Sequence, residues 1–232
     1  MRKRAKKQIK TDRPARKTPQ VRHKVISFDL DGTLVADSRF GRVFWYEEIP
    51  RLYAERYSIP IEEATLIVLD SYKKVGHFDI NWYRPHYWFE KFRLEEDWRK
   101  VIHDLRRDIR IYPDVKPALQ ELRKGRLKLI VITHSTREFV QLKMDVESIK
   151  GCFDEVHSVI DDHLMVKSKE FFQHLLGMLR CKPSELLHVG DDATFDYAIP
   201  RSLGIRALLL DRGRTKKGKD VIYSLADVKK HL

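Results

Sequence analysis

Asp29 and Asp31 stand two residues apart, directly after the apolar run Val25-Ile26-Ser27-Phe28 and just before Gly32 and Thr33. Side chains alternate along a strand, so the two carboxylates share a face if extension continues, while Leu30 packs the other way. In an open α/β sheet, ligands gather beyond the carboxyl ends of the strands, where these acids fall. Paired carboxylates there suit a hard divalent ion such as Mg2+, which prefers oxygen ligands and leaves room for substrate phosphate. The first aspartate is then placed to attack phosphorus, since aspartyl-phosphate is a recognised covalent intermediate, and the second to pass protons to and from the leaving group. The hexapeptide alone is also compatible with an ordinary turn after a strand.

Three further segments carry matching chemistry. Leu127 to Ile132 is an apolar run ending in Thr133-His134-Ser135, where hydroxyls and backbone N–H groups at a strand-to-helix turn make a phosphate cradle. Thr133 and Ser135 are the candidate substrate-binding residues of that turn. Leu186-Leu187-His188-Val189 is followed by Gly190-Asp191-Asp192 and then Asp196, so a second acid cluster falls at a strand end. Lys167 precedes Ser168 and an amphipathic stretch, where an ammonium binds a phosphoryl group or neutralises crowded carboxylates. Ser168 reads as a helix N-cap, which favours Lys167 as the residue at the mouth, with Lys169 as the alternative. His134 reads as a surface-loop histidine.

The elements that must position these residues alternate. Helices are expected over 115–124, 136–149, 168–179 and 194–202, and strands over 25–28, 127–132, 155–160, 186–189 and 205–210. That alternation predicts a Rossmann-like α/β fold, a parallel sheet with helices on both faces. Gly32 and Gly190 fall at two turns where backbone must approach a bound group closely.

Asp-x-Asp-Gly-Thr, an apolar strand ending in Thr, a lysine, and Gly-Asp-Asp with a further Asp, in this order and spacing, resemble the haloacid dehalogenase superfamily of Mg2+-dependent phosphohydrolases. The resemblance covers residues 25–36 and 113–232. The acid at Asp31 places the chain with the phosphatases of that superfamily, because the dehalogenase branch lacks it. The resemblance implies Asp29 as nucleophile and metal ligand, and Asp31 as general acid and base that binds metal through its backbone carbonyl. It implies Asp191 as a third metal ligand, and Asp192 and Asp196 as residues that hold metal-bound waters or orient the lysine. Thr133 would bind phosphoryl oxygens and Lys167 would stabilise nucleophile and transition state. Phe195 stands where the family often has Asn, and Ser168 where it often has Pro. The implied activity is hydrolysis of a small phosphomonoester; phosphotransfer to another acceptor, as in a mutase, uses the same motifs.

Residues 37–112 are a different kind of sequence, holding sixteen of the 24 aromatic residues. Their apolar spacing is helical over 47–57, 61–74 and 81–92. Position and length resemble the helical cap inserted after the first motif of that superfamily, a lid that excludes water. Most of the rings are expected in the core of this cap. Asp79 to Arg84 mixes donors, acceptor and rings, with Arg84 a candidate partner for a second acidic group on the substrate.

Charge is uneven. Residues 1–24 hold eleven Lys or Arg and one acid, Asp12, and so carry +10 of the formal +12. Such a segment has too few apolar residues to fold alone and is expected to be a disordered tail able to attract nucleic acid or an anionic surface. A nucleic-acid-binding protein using this tail is therefore the alternative to an enzyme. No signal-like core or membrane-length apolar run occurs, and Cys152 and Cys181 lack metal or disulfide spacing. The chain reads as soluble and cytoplasmic, with the oligomeric state unspecified. If the tail binds nucleic acid, affinity measured by filter binding falls steeply with added salt, and a salt-independent interaction would rule that mode out.

Overall fold

All four residues of β1 (Val25–Phe28) are buried, as a strand covered on both faces requires. In the computed structural model, which describes residues 23–36 and 39–232, β1 is central in a six-stranded parallel sheet. The other strands are β2 (Lys128–Thr133), β3 (Glu155–Ser158), β4 (Leu186–Gly190), β5 (Arg206–Leu210) and β6 (Val221–Ile222), in the order β3-β2-β1-β4-β5-β6. The expected basic tail falls on residues 1–22, outside the described residues, apart from His23 and Lys24; residues 37 and 38 are also outside them.

Period-2 alternation divides the sheet's side chains between two cores. Ile26, Phe28, Leu129, Val131, Leu187 and Val189 enter the larger one. Val25, Ile130, Ile132 and Leu186 enter the other, against Phe171, Phe172 and Leu175 of the helix Lys169–Leu179. The expected Rossmann-like α/β class is therefore the fold, with two adjustments. Strand β6 is two residues long, too short to leave a periodic signal. Strand β3 stops at Ser158, whose Oγ accepts from Asp161 N (3.2 Å) and caps a helical turn, Val159–Asp162.

In chain order the helices are α1 (Phe40–Val43), α2 (Ile49–Tyr57), α3 (Ile61–Val75), α4 (Pro85–Lys91), α5 (Trp98–Leu105), α6 (Val115–Arg123), α7 (Arg137–Asp145), α8 (Val159–Asp162), α9 (Lys169–Leu179) and α10 (Ile199–Ser202). Two π-helical turns, Phe44–Glu48 and Ala193–Ala198, each lie two residues before a proline, Pro50 or Pro200. A proline without N–H removes one α-helical bond, and a widened turn absorbs the gap.

The insert is helical, as its spacing predicts, and α5 adds an element that the sequence reading left out. Its rings Phe44, Trp88, Phe89, Phe92 and Trp98 are buried in the same cluster as Phe28 and Val131 of the sheet. Trp88 is fully buried, lies 4.5 Å from Tyr72 ring to ring, and donates its Nε1–H to the Trp82 carbonyl at 3.1 Å. Because insert and sheet share one apolar cluster, Trp88→Ala is expected to cost about 3–5 kcal/mol. The loss should appear in urea denaturation as a shift of a single transition; two separate transitions would mean that the insert unfolds on its own.

Candidate active site

The chain leaves β1 toward β2 and β3 on one side, and returns through β4 on the other. The β1/β4 boundary is thus the switch point, where a doubly wound sheet opens a crevice. Asp29 follows β1 there, Asp191 follows β4, and Thr133 ends the neighbouring β2. The topology alone brings three of the sequence-predicted residues together.

Lys167 ties the crevice. Its side chain is 2% exposed, and its Nζ donates to Asp29 Oδ1 at 2.5 Å and to Asp196 Oδ1 at 2.7 Å. Burial disfavours the ammonium, yet the Asp196 and Asp29 carboxylates outweigh that penalty and hold Lys167 above the ordinary lysine range. Asp196 Oδ1 also faces His188 Nε2 at 3.0 Å, and His188 Nδ1 lies 2.8 Å from Ser27 Oγ. Burial keeps His188 below its ordinary value, so the neutral ring donates through Nε2 and accepts from Ser27 at Nδ1. Lys169, by contrast, is exposed in the first turn of α9, while Ser168 Oγ caps that helix by accepting from Phe171 N at 3.3 Å.

Asp31 occupies a separate environment. Ser135 Oγ donates to its Oδ2 at 2.6 Å, and Lys143 Nζ donates to its Oδ1 at 2.5 Å and to Ser135 Oγ at 2.9 Å. Lys143 is 3% exposed, with Nζ 5.1 Å from the Phe139 ring centroid. The sequence reading missed it. It stands six residues into the α7 stretch, where a lysine looks like an ordinary solvent-facing charge, and only the fold turns it inward. Thr133 is buried, and its Oγ1 accepts from Ser135 N at 3.1 Å, which shapes the turn.

Two expectations are corrected. His134 is not a surface-loop residue: its Nε2 accepts the Lys167 backbone N–H at 2.7 Å, and its ring stacks on Tyr83 at 4.3 Å. Burial, reinforced by the Lys167 charge, holds it well below its ordinary value and so keeps it a neutral acceptor. Arg84 does not face the crevice; its Nη2 donates to the Ile160 carbonyl at 3.3 Å and it is not among the cavity-lining residues. Asp192 lines the cavity, and its Oδ1 caps the following turn by accepting from Thr194 N and Phe195 N at 2.7 Å each, while its carboxylate lies outside the Asp29, Asp191 and Asp196 group.

Asp29, Asp191 and Asp196 each offer an oxygen within a group 4.8 Å across. Burial raises Asp29 well above the carboxylate range, with Lys167 opposing. Asp191, exposed at the cavity mouth and held by Thr33 Oγ1 at 3.0 Å, is pushed up to about 7 by desolvation in the crevice and by the Asp196 charge. Three carboxylates against one ammonium leave an excess of negative charge, and the donors are all oxygen. This set fits a hard cation such as Mg2+. Two glycines make room for it: a Cβ on Gly190 would lie 2.3 Å from Asp196 Cγ, and one on Gly32, whose φ is +74°, would lie 2.1 Å from Asp191 Oδ2.

The acids open into a cavity of about 580 Å³, walled on the insert side by Trp45, Tyr46, Trp82 and Tyr83 and on the sheet side by Thr133 and Lys143. The family model of haloacid dehalogenase-like hydrolases matches residues 23–204. The chain belongs to that family. A glyceraldehyde 3-phosphate phosphatase of Methanocaldococcus jannaschii is 28% identical over 213 residues, 87% of this chain and 90% of that protein. A pyrophosphatase PpaX of Bacillus cereus is 24% identical over 172 residues, 72% and 74% of the two chains. Among solved structures, a HAD phosphatase from Thermococcus onnurineus superposes with a TM-score of 0.78 at 22% identity, covering 90% of this chain and 97% of that one. The expected phosphatase-branch hydrolase of the haloacid dehalogenase superfamily stands. Among the described residues, no helix is long and apolar enough to cross a membrane.

In this hydrolase the raised Asp191 makes a signed prediction. Between the ordinary 3.8 and about 7, the folded chain binds more protons at this site than the unfolded chain, so this contribution to stability falls as pH rises. Half-buried His134 and buried His188, held below their ordinary value, give the opposite slope, so variants are compared with wild type at each pH. Without divalent cation, Asp191→Asn should gain stability over wild type as pH rises through that window, followed by thermal melting. Adding Mg2+ should raise the melting temperature of wild type much more than that of the variant.

Proposed function

We propose that this hydrolase is a Mg2+-dependent phosphatase that cleaves a small phosphomonoester through an aspartyl-phosphate on Asp29. The observation that carries the reading is the separation of two carboxylates at one cavity mouth. Asp29 is held by Lys167, and Asp31 by Ser135 and Lys143. Asp29, Asp191 and the backbone carbonyl of Asp31 would hold Mg2+, with Asp196 orienting Lys167. When bound, the ion supplies neutralisation of phosphoryl charge.

An Asp29 carboxylate oxygen attacks phosphorus, the bond from phosphorus to the leaving oxygen breaks, and that oxygen takes its proton from Asp31. Asp31, now ionised, accepts a proton from the incoming water; the bond between phosphorus and Asp29 breaks and inorganic phosphate leaves. Lys167 offsets charge at Asp29 and on the transferring group, and the Thr133 turn faces its oxygens. Lys143 fixes where the Asp31 carboxylate points. The rings of the insert exclude water from the reacting centre and contact the part of the substrate beyond phosphorus. The relatives named as glyceraldehyde 3-phosphate phosphatase and pyrophosphatase make phosphorylated trioses, other small sugar phosphates and pyrophosphate the first compounds to try.

The test is Mg2+-dependent phosphate release from such a panel and from a generic aryl phosphate. Asp29→Asn should lower kcat on the order of 10⁴-fold. An aryl phosphate has a leaving group that needs no proton, so Asp31→Asn should still phosphorylate Asp29 and then stall, leaving a phosphoenzyme visible by intact mass spectrometry. Lys143→Met should lower kcat about tenfold to a hundredfold with a smaller change in KM. No turnover by folded wild type across the panel would sink the proposal.

A further inference from the structure

A second cluster of metal-binding side chains lies outside the cavity. His157, on β3, and His163, just past α8, turn their rings toward each other, with His157 Nδ1 and His163 Nε2 3.4 Å apart. A carboxylate oxygen of Asp162 joins these nitrogens in a group 4.8 Å across, and all three residues are half-buried. Two imidazole nitrogens on one tetrahedral Zn2+, at bond lengths of about 2.0–2.1 Å, stand about 3.3 Å apart, close to the separation found here. The other nitrogen of His157, Nε2, donates to Glu155 Oε2 at 3.1 Å. That bond puts the proton on Nε2 and leaves the Nδ1 lone pair facing His163, the carboxylate-to-histidine support that orients ligating imidazoles.

We propose that His157, Asp162 and His163 form a second cation site, for a borderline transition metal of the Zn2+ class and not for Mg2+. Two nitrogens and one oxygen match the donor preference of Zn2+, whereas Mg2+ takes oxygen. None of the three residues lines the main cavity. The ring of His174, exposed on α9, lies 5.4 Å from that of His163, so the remaining coordination position opens toward it and toward water. Asp162 keeps lone pairs for a metal while its Oδ2 accepts from Ser158 N at 2.9 Å and its Oδ1 from Arg137 Nη2 at 2.5 Å.

The site is wired to the active-site turn. Ser158, on the Asp162 carboxylate through its N–H, donates its Oγ to the Ser135 carbonyl at 2.8 Å. Metal held by His157, Asp162 and His163 fixes the end of β3 and, through Ser158, stiffens the turn that carries Thr133 and Ser135. The cation here is structural, and it takes no part in phosphoryl transfer.

The experiment uses the full, tag-free chain in excess Mg2+, which occupies the carboxylate cluster. Equilibrium dialysis should give one bound Zn2+ per chain with a raised melting temperature, and Co2+ in its place should give the intense visible absorption of tetrahedral coordination. His163→Ala should weaken Zn2+ at least about tenfold and remove the Co2+ spectrum. Asp29→Asn should retain both. His163→Gln gives the same readout if the alanine variant folds poorly. Zn2+ uptake unchanged in both His163 variants, uptake lost in Asp29→Asn instead, or no tetrahedral Co2+ spectrum in wild type would overturn the assignment.

Discussion

The buried Lys167 ammonium, shared by Asp29 and Asp196, is the interaction around which the rest of the site is arranged. An ammonium out of water costs several kcal/mol unless it is paired and hydrogen-bonded with good geometry. Here the pairing draws on three distant segments: the end of β1, the start of α9 and the turn after β4. His134 anchors the Lys167 backbone N–H, and Ser168 begins the helix immediately behind it. His188 and the Asp192 N–H satisfy the rest of Asp196. Gly190 follows from the same constraint, because any side chain there would displace the Asp196 carboxylate.

That arrangement also explains how two nearly adjacent aspartates come to differ. Asp29 is enclosed, shares its lysine with a second acid, and is pushed up by desolvation; in the reaction proposed above, the charge that would free it for attack comes from a cation beside it. Asp31 turns toward Ser135 and Lys143, away from the Asp29, Asp191 and Asp196 group. A nucleophile must stay ionised, whereas an acid and base must gain and lose a proton. In the reaction proposed above, holding the two carboxylates with different lysines separates those demands across a single crevice.

How much of this was legible in the sequence depends on the range of the signal. Largely apolar runs marked β1, β2, β4 and β5, since a strand buried on both faces leaves a stretch such as Leu129 to Ile132 with no polar interruption, whereas β3, Glu155 to Ser158, is half-buried and mostly polar and carries no such run. Strand β6, with two residues, left none. Residues at strand ends, Asp29, Thr133 and Asp191, were readable because the fold class dictates where strand ends go. Lys143 and His134 were not, because their roles depend on which way a helix face or a turn points after packing. Arg84 was misread for the same reason: composition placed it among rings that do line the cavity, but its guanidinium reaches back to the Ile160 carbonyl.

The origins of the two walls of the cavity also explain why the family is easier to read than the substrate. The acids and lysines of the crevice come from the sheet's carboxyl edge or from the helices behind it. Their positions are set by strand register and by one buried ion network, so a substitution there disturbs several partners together. The facing wall comes from the insert, where Trp45, Tyr46, Trp82 and Tyr83 present rings that make few directional bonds. Trp45, Tyr46 and Trp82 pack by area and shape and can be exchanged for other rings, whereas Tyr83 stacks on the His134 that anchors Lys167 and is tied to the lysine network. On the proposed function, substrate choice would follow the part of this wall made by Trp45, Tyr46 and Trp82, while the bond-breaking chemistry would stay with the charge pairing below it.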